Sequence, residues 1–450
     1  MASRSNHIRM DAATRGGEIH YRQPSRRSSS DSGYGYSSAG AAALRGGPVR
    51  GGAVPGRKSG GWLIDFWSDC VNHAKTSRVD LTFLALIIIM LVIGVAMLYS
   101  ASYPYAYYFN EGNGEFYLLN QLKWAVFGFV LMFAASCIPP RYFYKSKWMV
   151  FIFVFQFLLL VAVYAMPAKN GVHRWIIIGG FQFQPSEITK FAVILFCAWW
   201  CTRYKDYMNE ALIGMMVPAF PVFLCIGLVA FERHASCAIL LVLIFVTMMF
   251  MGGSHIGWFI ALGVVVGAAV LLFSSNLDSL SKIPVFGGVF ADRFGVYFDP
   301  FIDPQGKGWQ NIQGLYAIAS GGLLGQGISN SRQKYLYVSE PQNDFIFSVV
   351  AEELGFVGSV GILLLFAVIV WRGFTIAMSN PDRFQKLVGI GITAQIGWQV
   401  ILNIAVVTKV VPNTGISLPF FSYGGTSLAM LMMEVGVLLA ISRTSHLKKE

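Results

Sequence analysis

The chain has 450 residues, 55% of them hydrophobic and 13% charged, about half the charged share of a soluble domain. Together with a mean hydropathy of +0.56, this excludes an ordinary soluble enzyme and a disordered polyampholyte. The net charge of +11 is concentrated near the N-terminus, where residues 1–79 carry twelve Lys/Arg against five Asp/Glu, a balance of +7.

In chain order, residues 1–60 are rich in Ser, Gly and Arg and hold almost no large aliphatic residues, which predicts a disordered basic cytoplasmic tail. Such a tail beside a first membrane span is expected to meet anionic membrane lipid. No nucleic-acid-binding motif is present, so nucleic acid is not expected as a partner. The first apolar run begins near residue 81, too late for a secretory signal. Residues 61–76 set Trp62, Phe66 and Trp67 near Lys75. This pattern suits an interfacial amphipathic helix or a plain linker.

Hydrophobic runs then predict an all-α polytopic membrane protein with about ten transmembrane helices. They fall near 81–101, 118–138, 147–166, 187–203, 211–230, 235–251, 255–275, 345–371, 387–408 and 421–442. The least distinct boundaries are Phe231–His234 and Gly252–His255. Lys and Arg recur in alternate short loops (Arg141, Lys145, Lys147; Arg203, Lys205; Arg372, Arg383, Lys386) and in the 444–450 tail. With ten spans all of them lie on the side of the basic tail, so both termini are expected in the cytoplasm. The six cysteines sit mostly in apolar runs and suggest packing residues with no disulfide framework.

Residues 276–344 form a long loop on the outer side, too rich in Phe, Tyr, Trp and Leu for a disordered segment, and are expected to fold as a cap. Three outer stretches concentrate the polar chemistry. In the first, Arg174 precedes Gln184-Pro185-Ser186-Glu187, with Lys190 one turn further. Ser186 is the expected helix cap. Glu187 and Lys190 are either a functional pair or an i,i+3 ion pair that orients helices. The second runs along the long loop through Arg332, Lys334 and Glu340 to Asp344, which is open to two readings, general base or helix N-cap. Glu352 should share the face of Asp344 and Glu353 should point elsewhere. The third, Pro412 to Ser427, includes Ser422 and breaks the backbone at membrane depth. Such a break is tolerated only inside protein or beside a wet cavity, toward which Gln399 and Asn403 also point.

These motifs carry a resemblance to the SEDS family of membrane peptidoglycan glycosyltransferases, over residues 77–443. It rests on Tyr99-Ser100-Ala101-Ser102, Arg174-Trp175, Gln184-Pro185-Ser186-Glu187, the Asp299-to-Asp344 loop, Ala351-Glu352-Glu353-Leu354-Gly355 and the Pro412-to-Ser427 run. Within the family, Asn330 to Lys334 and Pro341 to Phe345 are most similar to the cell-division branch, with the sporulation branch close to it. The chain departs from the family where Val338-Ser339-Glu340 replaces Leu-Pro-Glu. It departs again where Arg233-His234-Ala235-Ser236 replaces Pro-Asp-x-Gly, so that Asp's role is not transferred to His234.

The resemblance implies a polymerase of lipid II in the bacterial cytoplasmic membrane, at the division septum, that extends a lipid-linked glycan through β-1,4 bonds. The family's essential acidic residue falls on Asp344. Arg174, Lys190, Arg332, Lys334 and Lys409 are candidates to neutralise the leaving pyrophosphate, with Glu187, Glu340, Gln399, Asn403 and Ser422 as further substrate contacts. A divalent cation, Mg²⁺ or Mn²⁺, would serve the same neutralisation, although the sequence shows no dedicated metal cage. The implied partners are a class B penicillin-binding protein and other division proteins. A flippase for lipid-linked precursors and an inactive division scaffold are the competing readings. The first should show internal repeats, and none is visible.

Overall fold

Apolar residues without polar interruption form helices because hydrocarbon leaves the backbone no partner but itself. In the computed structural model, which describes residues 62–76, 78–167, 172–178, 181–275, 296–306 and 308–445, they do so throughout. The helices are α1 (Trp62–Thr76), α2 (Leu81–Phe109), α3 (Phe116–Cys137), α4 (Ser146–Val163), α5 (Pro185–Arg203) and α6 (Val217–Phe231). They continue as α7 (Ala235–Met251), α8 (Ile256–Ser275), α9 (Trp309–Gly321), α10 (Ile346–Met378), α11 (Arg383–Val407) and α12 (Gly425–Thr444). A short hairpin of β1 (Ile176–Ile178) and β2 (Phe181–Phe183) is the one sheet among the described residues.

Ten of these helices coincide with the ten expected spans. Seven are long and apolar enough to cross a membrane by length and composition, with the π-helical turn Leu212–Met216 extending α6. Of the others, α5 carries the buried charges Glu187 and Lys190, and α7 has 17 residues. The chain is therefore a multi-pass membrane protein. The expected disordered tail at 1–60 lies outside the described residues, as do 276–295 of the long loop.

Local chemistry sets the helix ends. Asp80 caps α2 by accepting from Phe83 N at 2.8 Å, and Asp382 caps α11 by accepting from Gln385 N at 2.9 Å. Ser186 does not cap α5. Gln184 holds the cap position and Pro185 opens the first turn, where its missing N–H costs nothing. On the basic side α1 is tied to the loop after α3. Phe66 meets Tyr142 edge-on at 5.0 Å, and Asp69 accepts from Arg141 and Tyr142 at 2.6 Å each.

The innermost helices are α11 and α12, most of whose residues are buried, whereas α4 lies at the periphery with few of its residues buried. An extension and a break on the outer side shape the site. Helix α2 continues eight residues beyond its expected end, through Pro104 to Phe109. Helix α10 breaks at Gly355, whose φ of 68° and ψ of −169° are open to glycine and strained for other residues. The segment after α9 is spliced into that break. Gln326 N and Gly327 N donate to the carbonyls of Glu352 and Glu353 at 2.9 and 3.0 Å. Phe356 N and Val357 N donate to Gly322 O and Leu323 O at 2.9 and 3.1 Å. Two carbonyls and two amides beside the break thus acquire partners from the loop, as burial demands.

Candidate active site

Asp344 stands two residues before α10, half-buried, with Phe345 occupying the helix N-cap position. The surrounding backbone is irregular and would be costly to bury unless its polar groups were met. Side chains from three elements meet them. Asn403 of α11 donates to Asp344 O at 2.9 Å and to Ile416 O at 2.7 Å, and Gln399 donates to Ser417 O at 3.1 Å. Ser422 donates to Asn343 O at 2.7 Å and accepts from Leu418 N at 2.8 Å, while Tyr423 N donates to Gln342 O at 2.8 Å. From α3, Gln121 reaches Ser422 O and Gly424 N, and from α7, Ser236 donates to Thr414 O. Gly415 completes the frame: it has φ +73°, and a side chain there would stand 2.9 Å from Asp344 Oδ2. The carboxylate is therefore set against bare backbone, at a position whose positive φ favours glycine.

A second polar cluster lies deeper along α10. Glu352 accepts from Ser331 Oγ at 2.5 Å and from Arg332 N at 2.9 Å. Glu353 accepts from Ser100 Oγ at 2.7 Å and pairs with Lys334 Nζ at 2.8 Å. Both glutamates are 1% exposed and Lys334 is 2% exposed. Neither glutamate is directed to Asp344. Both serve the 331–334 segment. Beside them a cavity of about 230 Å³ is lined by Tyr99, Ser100, Tyr103, Pro104, Ser329, Lys334 and Tyr335.

The sequence-predicted residues thus divide. Gln399, Asn403 and Ser422 converge on the Asp344 backbone as holders of the frame. Glu187 and Lys190 pair at 2.8 Å, both buried, as the i,i+3 spacing allowed. Arg174 donates to Glu232 O at 3.2 Å and to Arg233 O, closing the C-terminal carbonyls of α6 as a cap does. Glu340 is exposed and accepts from Asn343 Nδ2 at 2.7 Å. The side chains of Arg332, which is exposed, and Lys409, which is half-buried, form no ion pair among the described residues. Among the same residues no group of three or more His, Cys, Asp or Glu is arranged to hold a metal ion.

Sequence reasoning passed over Gln121, Ser236 and Glu232. Nothing in a single sequence marks Gln121, and Ser236 drew notice only as part of the departing Arg233-to-Ser236 run; their partners are 301 and 178 residues away. Glu232 is 2% exposed and neither carboxylate oxygen has a hydrogen-bond partner among the described residues. Burial pushes its pKa up to about 8, with Arg174 pulling the other way. It borders a cavity of about 220 Å³ with Tyr164, Val172, His173, Phe231 and Arg233. His234, the neighbour that departs from the family pattern, sits 3.3 Å from Gln184 Nε2 and 3.4 Å from Ser186 Oγ through Nδ1, and so joins α7 to the start of α5.

The chain is thus a helical membrane bundle in which the main chain of Asp344 is held beside a broken helix. The family model for cell cycle proteins of the FtsW, RodA and SpoVE type matches residues 80–447, and the chain belongs to that family. The stage V sporulation protein E of Bacillus subtilis (strain 168) is 37% identical over 382 residues, covering 83% of this chain and 99% of that protein. A probable peptidoglycan glycosyltransferase FtsW of Geobacter sp. (strain M18) is 34% identical over 372 residues, covering 81% and 96%. Among solved structures, a chain of a peptidoglycan synthase complex, described as coordinating polymerization and crosslinking, superposes with a TM-score of 0.65. It is 25% identical over 81% of this chain and 98% of its own. The rod shape determining protein RodA of Thermus thermophilus shares the fold at a TM-score of 0.58 and 23% identity, over 82% and 98%.

Proposed function

We propose that this chain is a peptidoglycan glycosyltransferase that joins lipid II units into β-1,4 glycan strands on the outer face of the cytoplasmic membrane, with Asp344 as general base. The observation that carries the reading is the rigid mounting of Asp344 at the outer mouth of α10, its main chain held by Asn403 and its carboxylate against Gly415. In the reaction the acceptor's 4-hydroxyl loses its proton to Asp344 as its oxygen attacks the anomeric carbon of the donor glycan. The bond to the lipid pyrophosphate breaks from the opposite face, which inverts the configuration without a covalent intermediate. A positioned base of this kind contributes about 10²- to 10⁴-fold. The leaving pyrophosphate needs cations. Of the predicted ones, Lys190 and Lys334 are matched by buried carboxylates and Arg174 is engaged by the carbonyls of Glu232 and Arg233, while Arg332 and Lys409 form no ion pair among the described residues.

Two findings support the wider setting. Relatives named FtsW cover this chain nearly end to end beyond its tail, which favours a septal role in division. The similar synthase complex couples polymerization to crosslinking, which favours a class B penicillin-binding protein as partner. The test is lipid II polymerisation by the purified chain, alone and with such a partner, comparing wild type with Asp344→Asn. Asparagine keeps the shape and cannot take the proton. Glycan from the wild type and none from a folded variant supports both assignments. Normal polymerisation by the variant overturns the base, and no product from the wild type with its partner overturns the enzyme.

A further inference from the structure

Two motifs are not used by the chemistry of Asp344: Tyr99-Ser100-Ala101-Ser102 near the outer end of α2, and Ala351-Glu352-Glu353-Leu354-Gly355 in α10. They meet at Lys334. Its ammonium lies 2.8 Å from Glu353 Oε1 and 3.0 Å from Ser100 Oγ, and Ser100 itself donates to Glu353. One turn of chain earlier, Ser331 and the amide of Arg332 are held by Glu352. The two glutamates are immobilised in turn, because their own carbonyls accept from Gln326 N and Gly327 N at the break in α10.

From this point to Asp344 the chain has little slack. Val338 N donates to Gln333 O at 2.9 Å, Trp309 Nε1 to Tyr337 O at 2.6 Å, and Gln310 Nε2 to Ser339 O at 2.9 Å. Tyr423 N then holds Gln342 O, and Asn403 holds Asp344 O. A shift at Lys334 is therefore passed along a braced segment to the carboxylate. Lys334 is also poorly suited to the pyrophosphate. It is buried, and its charge is matched at 2.8 Å by a carboxylate that pairs with no other cation among the described residues.

We infer that Ser100, Lys334 and Glu353 form a positioning clasp that fixes the Asp344 loop to α2 and α10 and touches no substrate. The inference rests on the reading of Asp344 given above. Removing one member of a buried ion pair leaves the other charge unmatched, whereas removing both is far better tolerated. This asymmetry separates a clasp from a substrate contact.

The experiment measures lipid II polymerisation by the full chain with its class B partner, and hydrogen exchange of the same samples. Lys334→Met is expected to lower kcat by about 10- to 100-fold through misplacement, with KM within about twofold of wild type, and to lose exchange protection across 335–344. Adding Glu353→Gln removes the orphaned charge and leaves an amide within reach of Ser100. The double variant is expected to regain protection and a kcat within roughly threefold of wild type. If Lys334 instead grips the pyrophosphate, KM rises in both variants and the second substitution restores nothing, which overturns the clasp. Where Lys334→Met fails to fold, the double variant decides alone: near-normal kcat and KM support the clasp, and a raised KM overturns it. A wild type that makes no glycan defeats the Asp344 reading, and the exchange data then judge the clasp independently.

Discussion

Asp344 and Glu232 are carboxylates at helix ends, Asp344 before α10 and Glu232 after α6, and they live under opposite conditions. Asp344 is half-buried, mounted on backbone that α11 and the 412–424 loop hold rigid. Glu232 is buried, with neither oxygen hydrogen-bonded among the described residues and its pKa pushed up to about 8. At neutral pH Glu232 keeps its own proton and has none of the appetite for another that a base requires. Burial by itself makes an acid that stays neutral, whereas a base needs a fixed place and access to water or substrate. The two residues therefore predict opposite phenotypes, one in rate and one in stability.

The largest separation is expected from Asp344→Asn. Polymerisation should fall by about 10²- to 10⁴-fold, while the thermal midpoint in detergent changes little. A stability loss with activity retained would merge the two carboxylates into one class. The converse variant, Glu232→Gln, should leave polymerisation at pH 7 within about twofold and alter the pH dependence of stability. Folding raises this pKa from 4.5 to about 8, so Glu232's favourable contribution is whole below 4.5 and is lost as pH rises through 8. At 1.36 kcal/mol per unit the loss is at most roughly 5 kcal/mol. Thermal unfolding of the two proteins at pH 5 and pH 8.5 checks it: the advantage of the glutamine variant should widen as pH rises, and an unchanged gap would contradict it.

A finer probe is Asn403→Ala, which frees the carbonyls of Asp344 and Ile416. It should cost about 1–3 kcal/mol of stability and lower kcat more than it raises KM, measured by unfolding and steady-state kinetics. The smallest effect belongs to a half-buried surface control, Asp69→Asn. The hydroxyl of Tyr142, and then Arg141, hold the Asp69 pKa below its usual value. Its contribution is present at neutral pH and lost as pH falls through that lowered pKa, and it amounts to about 0–1 kcal/mol by denaturation.

The fold was largely legible because hydrocarbon imposes one rule on every span: ten helices appear where ten apolar runs stand. Spacing also gave the Glu187–Lys190 pair, since i,i+3 neighbours on a helix meet without help from elsewhere. The break at Gly355 was not legible, because hydropathy runs across it unchanged and the partner loop is distant in sequence. Helix geometry rightly turned Glu353 away from Asp344 but wrongly placed Glu352 on its face, because Glu352 is taken up by Ser331 and the amide of Arg332. Arg174 read as a free cation, and only the tertiary structure reveals the α6 carbonyls it serves. Sequence exposes what local geometry compels, and it hides whatever depends on a contact made hundreds of residues later.

The splice at the α10 break has one more consequence. Because Gln326 and Gly327 return to Glu352 and Glu353, the intervening chain is a ring closed without a covalent bond. Its exposed crest is Tyr335, Leu336 and Tyr337. A protease that severs the chain between Tyr335 and Leu336 leaves one new end gripped by Glu352 and Glu353 and the other by Trp309, Gln310 and the 422–423 turn. The nicked halves should copurify as one particle, with the bundle intact and only the tension between Lys334 and Asp344 released.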